Sequence, residues 1–212
     1  MEILANATVL PRMTNLKGKT ILVTGGSRGI GAAIARAAAA AGARVLLHYG
    51  KSRQAAEALR DAIGPASCDL LAADLAQADA AGALWRDAEA AASRIDVLVN
   101  NAGIFAPAPV TAPMADWQRV FAQVMQVNLT APAELCKLAV AHFRRTGGGR
   151  IINIASRAAH RGDAPDQWPY ATSKGALVAL TKTIARGFAA ENILAFAVAP
   201  GFTETDMAYA GM

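Results

Sequence analysis

Apolar residues along this chain are concentrated in six short runs, and the stretches between them are long enough for helices. Continuous apolar triplets such as Ile21-Leu22-Val23 and Val97-Leu98-Val99 are typical of strands that are buried on both faces. The pattern predicts an α/β fold with a doubly wound parallel sheet and helices on both faces. The predicted strands cover residues 20–24, 44–49, 67–73, 95–100, 150–155 and 194–199.

The helical segments show a weaker pattern than the strands. Leu177, Leu180, Ile184 and Phe188 follow one helical stripe, and residues 117–145 can form one long helix or two. Neither an internal repeat nor a linker divides the sequence, so one domain over residues 14–212 is expected. Residues 1–13 are interpreted as an N-terminal tail or leader, because they lack the basic start and long apolar centre of a secretory signal.

Composition argues against several classes of function for this chain. The chain has 212 residues, of which 54% are hydrophobic, and a net charge of +5. Lysines and arginines are scattered rather than clustered with aromatic residues, so no nucleic-acid partner is expected. No apolar run is long enough for a membrane span, and Cys68 and Cys136 lie in no metal-binding pattern. The prediction is a soluble cytoplasmic protein with reduced core thiols, no metal and no membrane partner.

Tyr170 and Lys174 form a candidate reaction centre, with Ser156 fourteen positions before the tyrosine. Residues four apart lie on one face of a helix, where the lysine charge would lower the pKa of the phenol from about 10. A tyrosine of this kind can exchange protons with a substrate. The same spacing also occurs in solvated helix stripes, and Ser156 could simply cap a helix.

A glycine-rich turn follows the first predicted strand and opens a helix. Glycines allow backbone N–H groups to approach phosphate oxygens, and the helix N-terminus adds a favourable dipole. The alternative is a tight turn with no ligand. The expected phosphate-binding residues are Gly25, Ser27, Arg28, Gly29, Ile30 and Gly31.

Taken together, Thr24-Gly-x-x-x-Gly-x-Gly31, Asn100-Asn-Ala-Gly103, Ser156 and Tyr170-x-x-x-Lys174 resemble the short-chain dehydrogenase/reductase family, and most of all its 3-oxoacyl-[acyl-carrier-protein] reductase-like branch. The likeness extends from about Leu16 to Met207. It implies a Rossmann-type NADP(H)-binding catalytic domain over residues 14–212.

The resemblance also implies catalytic roles. Tyr170 would protonate the developing alkoxide, Ser156 would hydrogen-bond the carbonyl oxygen, and Lys174 would hold the nicotinamide ribose and lower the pKa of Tyr170. Asn128, in Val127-Asn-Leu, would hold a relay water. Asn128 could instead be an ordinary core amide.

Further cofactor contacts follow from the resemblance. Asp74 and Leu75 would contact adenine, although an acid at a strand end is also ordinary surface chemistry. The loop Asn101-Ala102-Gly103 would lie beside the adenosine ribose, although it is also good turn chemistry. Contacts are likewise expected from Tyr170, Lys174, Pro200, Gly201, Thr203 and Thr205.

Charge favours NADP(H), with NAD(H) as a possible second cofactor. The second predicted strand ends without the acid that would accept ribose hydroxyls in NAD-dependent enzymes. Arg28 in the turn, with Lys51 or Arg53 beyond the strand, could pair with a 2′-phosphate. A solvated basic patch is the alternative interpretation.

The sequence departs from the family pattern at its end. It stops before the usual substrate-covering segment, seventh strand and final helix, which predicts an exposed sixth strand and an incomplete C-terminus. Residues 117–128 are about one helical turn longer than usual, and residues 157–169, expected as a substrate-bordering loop, are one residue longer. The substrate pocket is expected to include Phe105, Arg157, Trp168 and Phe202.

The predicted function is therefore reversible NADPH-dependent reduction of a small ketone or 3-oxoacyl group to a secondary alcohol, in a homodimer or homotetramer. A scaffold that binds NADP(H) without turnover is the alternative, because the substrate lid is missing. An extended-branch epimerase or dehydratase fits less well, since its glycine spacing usually differs from Gly25, Gly29 and Gly31.

Overall fold

A computed structural model describes residues 15–204 of the chain. The tail predicted over residues 1–13 lies outside the described residues. Six parallel strands form one sheet in the order β3-β2-β1-β4-β5-β6. Their bounds are Thr20–Val23 (β1), Arg44–Tyr49 (β2), Cys68–Ala72 (β3), Val97–Asn100 (β4), Gly149–Ile154 (β5) and Ile193–Val198 (β6).

Helices cover both faces of this sheet. Their bounds are Gly29–Ala40 (α1), Arg53–Ile63 (α2), Ala80–Ala91 (α3), Met114–Met125 (α4), Ala131–Thr146 (α5), Ala158–Arg161 (α6) and Trp168–Phe188 (α7). The doubly wound α/β prediction is confirmed, and each predicted strand lies within two residues of the observed one.

The core has two layers, one on each face of the sheet. Ala35 and Leu59 from α1 and α2 pack on one face, whereas Trp85, Phe143 and Ile184 from α3, α5 and α7 pack on the other. Burial of aliphatic and aromatic side chains is the main favourable contribution to folding. The two layers hold the central strands fixed, so the loops at their carboxyl ends start from a rigid base.

The strand order reverses between β1 and β4. The chain runs outward from β1 through β2 to β3 and then returns to place β4 on the other side of β1. Loops after these two strands therefore separate, leaving a crevice where doubly wound sheets bind their ligands. The glycine turn follows β1 and residues 101–104 follow β4, so both border this crevice.

Two local features differ from the sequence-based expectations. The segment over residues 117–145 forms two helices, which is one of the two expected arrangements, but a π-helical turn that was not expected joins them at Gln126–Thr130. The expected loop over residues 157–169 is wrong as a continuous loop, because it contains α6 and because α7 already begins at Trp168. A proline in the first turn of α7, Pro169, explains that early start, since its fixed φ suits the first helical turn.

Strand β6 forms one edge of the sheet in the part of the chain that the structure describes. Phe196 and Val198 on this strand are 49% and 47% exposed. The predicted exposed sixth strand is thus observed within residues 15–204. Across those residues no helix combines the length and the apolar character needed to traverse a bilayer.

Candidate active site

The glycine turn packs directly against the loop that follows β4. Gly25 has a φ of 61° and Gly29 a φ of 55°, in the left-handed region that favours glycine. A Cβ on Gly25 would lie 2.8 Å from the Cα of Ala102, which leaves no space for a side chain. Both the backbone conformation and the close approach therefore require glycine at position 25.

Asn101 joins the two loops. Its side-chain amide nitrogen donates hydrogen bonds to the carbonyl oxygens of Thr24 and Gly25, at 2.9 and 3.0 Å. The hydroxyl oxygen of Thr24 accepts the backbone N–H groups of Asn101 and Ala102, each at 3.0 Å. The sequence indicated Thr24 only as the first residue of the glycine motif. In the structure its hydroxyl also connects the glycine turn to the loop that follows β4.

His48 is a second residue whose contribution the sequence did not reveal. It is 2% exposed near the end of β2. Its Nδ1 accepts the backbone N–H of Gly25 at 3.0 Å, and its Nε2 lies 3.0 Å from the carbonyl oxygen of Ala73. Burial lowers the pKa of His48 below its ordinary 6.5, partly offset by the hydrogen bond to Ala73. The ring is therefore neutral at pH 7.

Tyr170 and Lys174 lie in the first turns of α7, as the spacing predicts. The Nζ of Lys174 is 5.7 Å from the centroid of the Tyr170 ring and donates a hydrogen bond to the carbonyl oxygen of Ile154 at 2.8 Å. Lys174 is only 4% exposed. Burial lowers its pKa from 10.5 to about 8, because an ammonium group loses hydration in the interior.

The pKa of Tyr170 moves in the direction opposite to the expectation. Burial of the phenol raises it, Asp163 raises it further, and a hydrogen bond with Ser156 lowers it in part. The expected lowering by Lys174 is therefore wrong for the chain alone. The physical reason is that desolvation of the phenolate outweighs the favourable interactions of the phenol in this protein environment.

Ser156 lies just beyond β5 and faces two partners. Its side chain is hydrogen-bonded to that of Tyr170, and its Oγ accepts the backbone N–H of Ala158 at 3.1 Å. The bond to Ala158 is a local turn contact and not a helix cap, because the N-cap residue of α6 is Arg157 and that helix has no side-chain cap. One side chain makes both contacts because a hydroxyl can donate and accept at the same time.

Asn128 is fully buried within the π-helical turn. Its Oδ1 accepts the backbone N–H of Ile104 at 2.8 Å, while its Nδ2 donates to the carbonyl oxygen of Ile104 at 2.9 Å and to the Oγ of Ser173 at 3.2 Å. Ser173 in turn donates to the carbonyl oxygen of Tyr170 at 2.7 Å. Asn128 is a core amide, as one interpretation held, and it also connects the β4 loop to the helix that carries Tyr170.

Gly103 lies where these groups meet. A Cβ built on this glycine would lie 3.3 Å from the Oδ1 of Asn128 and 3.6 Å from the Nζ of Lys174. The amide, the ammonium group and the β4 loop are thus neighbours at the carboxyl edge of the sheet. The structure brings Asn128, Ser156, Tyr170 and Lys174 into one constellation.

The basic residues proposed for the 2′-phosphate lie at the mouth of the crevice. Arg28 immediately precedes α1, and Arg53 begins α2. The side chain of Arg53 is 75% exposed and pairs with Glu57 at 2.9 Å, one turn further along the helix. Lys51 lies close enough to Asp74 to contribute to the lowered pKa of that acid. The exposed ion pair between Arg53 and Glu57 is weak, so Arg53 can pair with another anionic group instead.

The adenine-side residues have partners within the chain. The carboxylate of Asp74 accepts the backbone N–H of Ala76 and the side-chain amide of Gln77, at 3.1 and 3.2 Å. Asp74 therefore closes its own turn, as the ordinary surface interpretation expects. Leu75 is buried, and its carbonyl oxygen lies 3.5 Å from the side-chain nitrogen of Gln126 in the π-helical turn.

The segment after β6 reaches the site from the other side. The carbonyl oxygen of Pro200 accepts the backbone N–H of Arg157 at 3.1 Å. Thr203 donates through its hydroxyl to the carbonyl oxygen of Gly201 at 3.4 Å and is exposed. Thr205 lies outside the described residues.

The residues expected in the substrate pocket make different contacts within the described chain. Phe105 packs edge-on against the Tyr170 ring, with centroids 4.9 Å apart. Trp168 packs edge-on against Trp117 and lines a cavity of about 300 Å³ that Phe105, Arg157 and Phe202 do not line. The assignment of these four residues to the substrate pocket therefore stays a prediction, and Trp168 at the start of α7 contacts Trp117 of α4.

Comparison with known proteins agrees with this arrangement. The family described as short chain dehydrogenase matches residues 19–210. A 3-oxoacyl-[acyl-carrier-protein] reductase of a Synechocystis species is 41% identical over 199 residues, which cover 92% of this chain and 78% of the relative. The chain belongs to the short-chain dehydrogenase family.

Other relatives of this short-chain dehydrogenase differ in their named activities. A solved structure of an Agrobacterium tumefaciens 3-oxoacyl (acyl-carrier-protein) reductase with NADP bound is 35% identical, has a TM-score of 0.83, and the match covers 96% of this chain and 78% of that one. A Brucella melitensis 3-ketoacyl-(acyl-carrier-protein) reductase complexed with NADH is 29% identical, with a TM-score of 0.82 and coverages of 92% and 79%. A 3beta-hydroxysteroid dehydrogenase from Eggerthella lenta is 37% identical over 201 residues, with coverages of 90% and 73%.

These likenesses identify the chain as an oxidoreductase of the 3-oxoacyl-[acyl-carrier-protein] reductase-like branch. The crevice fits a nicotinamide dinucleotide, because Gly25 and Gly29 hold the turn at the N-terminus of α1 in a conformation open to phosphate. Gly103 leaves the space beside Lys174 and Asn128 that a side chain would fill. The residues present thus suit the cofactor class that the family uses.

Proposed function

We propose that this short-chain dehydrogenase reduces a ketone or 3-oxoacyl group to a secondary alcohol with NADPH, and catalyses the reverse oxidation. The observation that carries the proposal is the convergence of Ser156, Tyr170, Lys174 and Asn128 beside Gly103. Each of these side chains comes from a different loop or helix, or from a different turn of α7. Their meeting at the carboxyl edge of the sheet is therefore a product of the whole fold.

The bound nicotinamide would supply the hydride. Ser156 would donate a hydrogen bond to the substrate carbonyl oxygen, and Tyr170 would give that oxygen its proton. A phenol whose pKa is raised holds its proton at neutral pH, which suits the donor in the reducing direction. In the oxidising direction Tyr170 must first lose that proton, so alcohol oxidation should become faster as the pH rises.

Lys174 would bind ribose hydroxyls and pass protons to Tyr170. Its pKa of about 8 allows both protonation states near neutral pH, as a relay group requires. Asn128 supports the relay through its main chain, since its side chain is already bonded to Ile104 and Ser173. Pro132, four residues further on, has no N–H for an α-helical bond to the Asn128 carbonyl, and this carbonyl is the group that would hold the relay water.

The preference for NADPH is also a proposal. It is supported by the lack of an acid among the residues of β2 and by Arg28 and Arg53 at the N-termini of α1 and α2. Replacing both arginines with alanine should raise the KM for NADPH at least about tenfold and change the KM for NADH much less. Steady-state kinetics with the two cofactors would test this, and equal losses for both would contradict it.

The reductase activity can be tested by following NADPH oxidation with a panel of ketones and 3-oxoacyl thioesters. Tyr170→Phe should lower kcat by about 10²- to 10⁴-fold, because it removes the proton donor but retains the ring. Binding of NADPH should stay within about twofold of wild type, since the phenyl ring still packs on Phe105.

The controls separate the reductase from a cofactor-binding scaffold. Thr183→Ala removes an exposed hydroxyl that bonds the backbone of Ala179 on the same helix, α7, and is not one of the four proposed catalytic residues, so this variant should retain most of the activity. Wild-type protein that binds NADPH but turns over no substrate in the panel would support the scaffold. A Tyr170→Phe variant as active as wild type would disprove the assigned role of the phenol.

The cellular location and the oligomeric state are also proposals, each supported by a few residues. Cys68 and Cys136 are buried free thiols, with burial raising their pKa values to about 11 and about 12, which is consistent with a reducing cytoplasm. A homodimer or homotetramer is supported by the exposed apolar side chains of Met114 and Trp168, at the starts of α4 and α7. A monomer in sedimentation analysis at micromolar concentration would contradict the oligomer.

A further inference from the structure

His48 holds the glycine turn at two consecutive positions. Its side-chain Nδ1 accepts the N–H of Gly25 at 3.0 Å, and its backbone carbonyl accepts the N–H of Gly26 at 2.8 Å. These bonds use the first two N–H groups after Thr24. The N–H groups of the first turn of α1, which follow, have no acceptor within the helix and face outward to where phosphate would bind.

The same ring reaches the opposite side of the cofactor crevice. Because the Gly25 N–H is a donor, Nδ1 must be the unprotonated nitrogen, and Nε2 therefore carries the proton and donates it to the carbonyl oxygen of Ala73. Ala73 directly follows β3 and precedes Asp74, which is expected on the adenine side. One neutral tautomer thus connects the phosphate-binding turn with the adenine-side loop.

We infer that His48 is a positioning residue for the cofactor, holding the glycine turn in its phosphate-binding conformation and fixing its distance from the loop at Asp74. The inference rests on the proposed function, in that it assumes a dinucleotide in this crevice. His48 itself does not touch reacting atoms. Its effect should therefore appear in cofactor affinity and leave the chemical step unchanged at saturating cofactor.

A protonated His48 would break this connection. A proton on Nδ1 would face the N–H of Gly25, so that two donors would meet and the turn would have to move. Burial and the Ala73 carbonyl account for the lowered pKa of the ring. Charged residues also lie on the elements that contact β2 and on the loops beside it. They are Arg28 in the turn, Arg36 on α1, Arg44 on β2, Lys51 after β2, Arg53, Glu57, Arg60 and Asp61 on α2, Asp69 on β3, Asp74 after β3, and Arg86, Asp87 and Glu89 on α3.

The experiment compares binding of NADP⁺ by titration calorimetry to wild type and to three variants. His48→Ala removes the acceptor for Gly25 and should raise the Kd at least about tenfold, or about 1.4 kcal/mol, while kcat at saturating cofactor falls less than twofold. His48→Asn places an amide oxygen near the position of Nδ1 and should bring the Kd to within about threefold of wild type.

A second buried histidine provides the matched control. His142 is 3% exposed and accepts the backbone N–H of Ile95 at 3.0 Å, so it resembles His48 in burial and bonding but lies between α5 and the start of β4. His142→Ala should lower the melting temperature without changing the Kd for NADP⁺. A loss of affinity in His142→Ala equal to that in His48→Ala would reduce His48 to an ordinary core residue and overturn the inference.

The pH dependence of binding supplies a readout that a purely structural role would not affect. Because burial lowers the pKa of His48, the ring stays neutral until the pH falls below its ordinary range, and affinity should fall when the pH is low enough to protonate it. The second pKa of a phosphate monoester, about 6, also contributes to this fall. His48→Asn retains the phosphate contribution but cannot titrate, so its loss of affinity at low pH should be smaller.

The possible outcomes are distinct. If wild type binds no NADP⁺, the proposed function fails. If wild type binds and His48→Ala binds equally well, or if wild type and His48→Asn share one pH profile, only the inference about His48 fails. If His48→Ala does not fold, the inference about His48 is tested by comparing the affinity of wild type and His48→Asn for NADP⁺ across pH. Both proteins retain an acceptor for the N–H of Gly25 at neutral pH.

Discussion

Lys174 shows how one buried residue links stability to function. Its ammonium group donates a hydrogen bond to the carbonyl oxygen of Ile154 and is held in an interior position, where burial lowers its pKa from 10.5 to about 8. A shift of that size corresponds to about 3 kcal/mol of unfavourable free energy when the group is charged in the folded state. The protein therefore carries a destabilising charge where the relay needs one.

Replacing this lysine should separate the two effects. Lys174→Met should abolish measurable reductase activity but stabilise the fold at pH 7 by about 1–2 kcal/mol, since the loss of the hydrogen bond to Ile154 offsets part of the relief. Between pH 8 and 10.5 the unfolded chain binds the lysine proton and the folded chain does not, so wild type gains stability relative to the variant as the pH rises.

Urea unfolding of both proteins from pH 7 to pH 10.5 would measure this difference. Other titrating groups are common to the two chains, and their contributions cancel. A stability difference that did not change with pH would show that Lys174 is not forced to titrate by burial.

At the scale of secondary structure, the π-helical turn between α4 and α5 is the element that most affects the site. It places the side chain of Asn128 against Ile104 and Ser173, which a regular helix through residues 126–130 would rotate away. Pro132 favours the irregular turn because it cannot donate the α-helical bond to Asn128. The π-helical turn and the proposed site of the relay water therefore both depend on the absence of a backbone N–H at Pro132.

Pro132→Ala should restore that N–H. We expect an unchanged or higher melting temperature together with a kcat lowered about tenfold, because a backbone donor would compete for the carbonyl that holds the relay water. Thermal unfolding and steady-state kinetics would measure the two effects. Pro65→Ala, at an exposed proline far along the chain from the site, controls for the general effect of losing a proline. Full activity in Pro132→Ala would contradict the role of the free carbonyl.

The elements that the sequence predicted well are those whose signal is local. The strands were found because their apolar runs are continuous, and the parallel sheet buries both faces of those runs. The four proposed catalytic residues, Asn128, Ser156, Tyr170 and Lys174, and the glycine turn were predicted from motifs with fixed spacing. The π-helical turn was missed because its residues fit a helix equally well, and α6 was missed because a one-turn helix leaves little periodic pattern.

Contacts between distant segments could not be predicted from the same patterns. His48 stands in an apolar run, where a lone histidine suggests core packing, and its partner Gly25 is 23 residues away. The contact of Trp168 with Trp117 joins α7 to another helix, so it too could not be predicted from the local pattern. The raised pKa of Tyr170 likewise reflects burial by the assembled fold, whereas the local Tyr-Lys spacing suggested a lowered one.

At the scale of the whole sheet, the edge strand β6 is the element to consider for association. In the part of the chain that the structure describes, β6 pairs with β5 on one side, and its side chains Phe196 and Val198 are about half exposed. A parallel sheet normally has both faces covered, and an apolar edge strand invites pairing with another chain. Such pairing can extend without limit, unlike the closed homodimer or homotetramer proposed for the helices.

A charge on this edge should suppress that pairing. Phe196→Lys places a lysine at a half-exposed position, so we expect weaker concentration-dependent light scattering and less than about 1 kcal/mol change in unfolding free energy. Thr183→Lys adds the same charge at an exposed position on α7 and should leave the scattering as in wild type, which separates an effect of the edge from one of net charge. If both variants reduced scattering equally, net charge would be responsible. If wild type itself showed no concentration dependence, something in the chain already covers the edge, and the open side of β6 would not be an association surface.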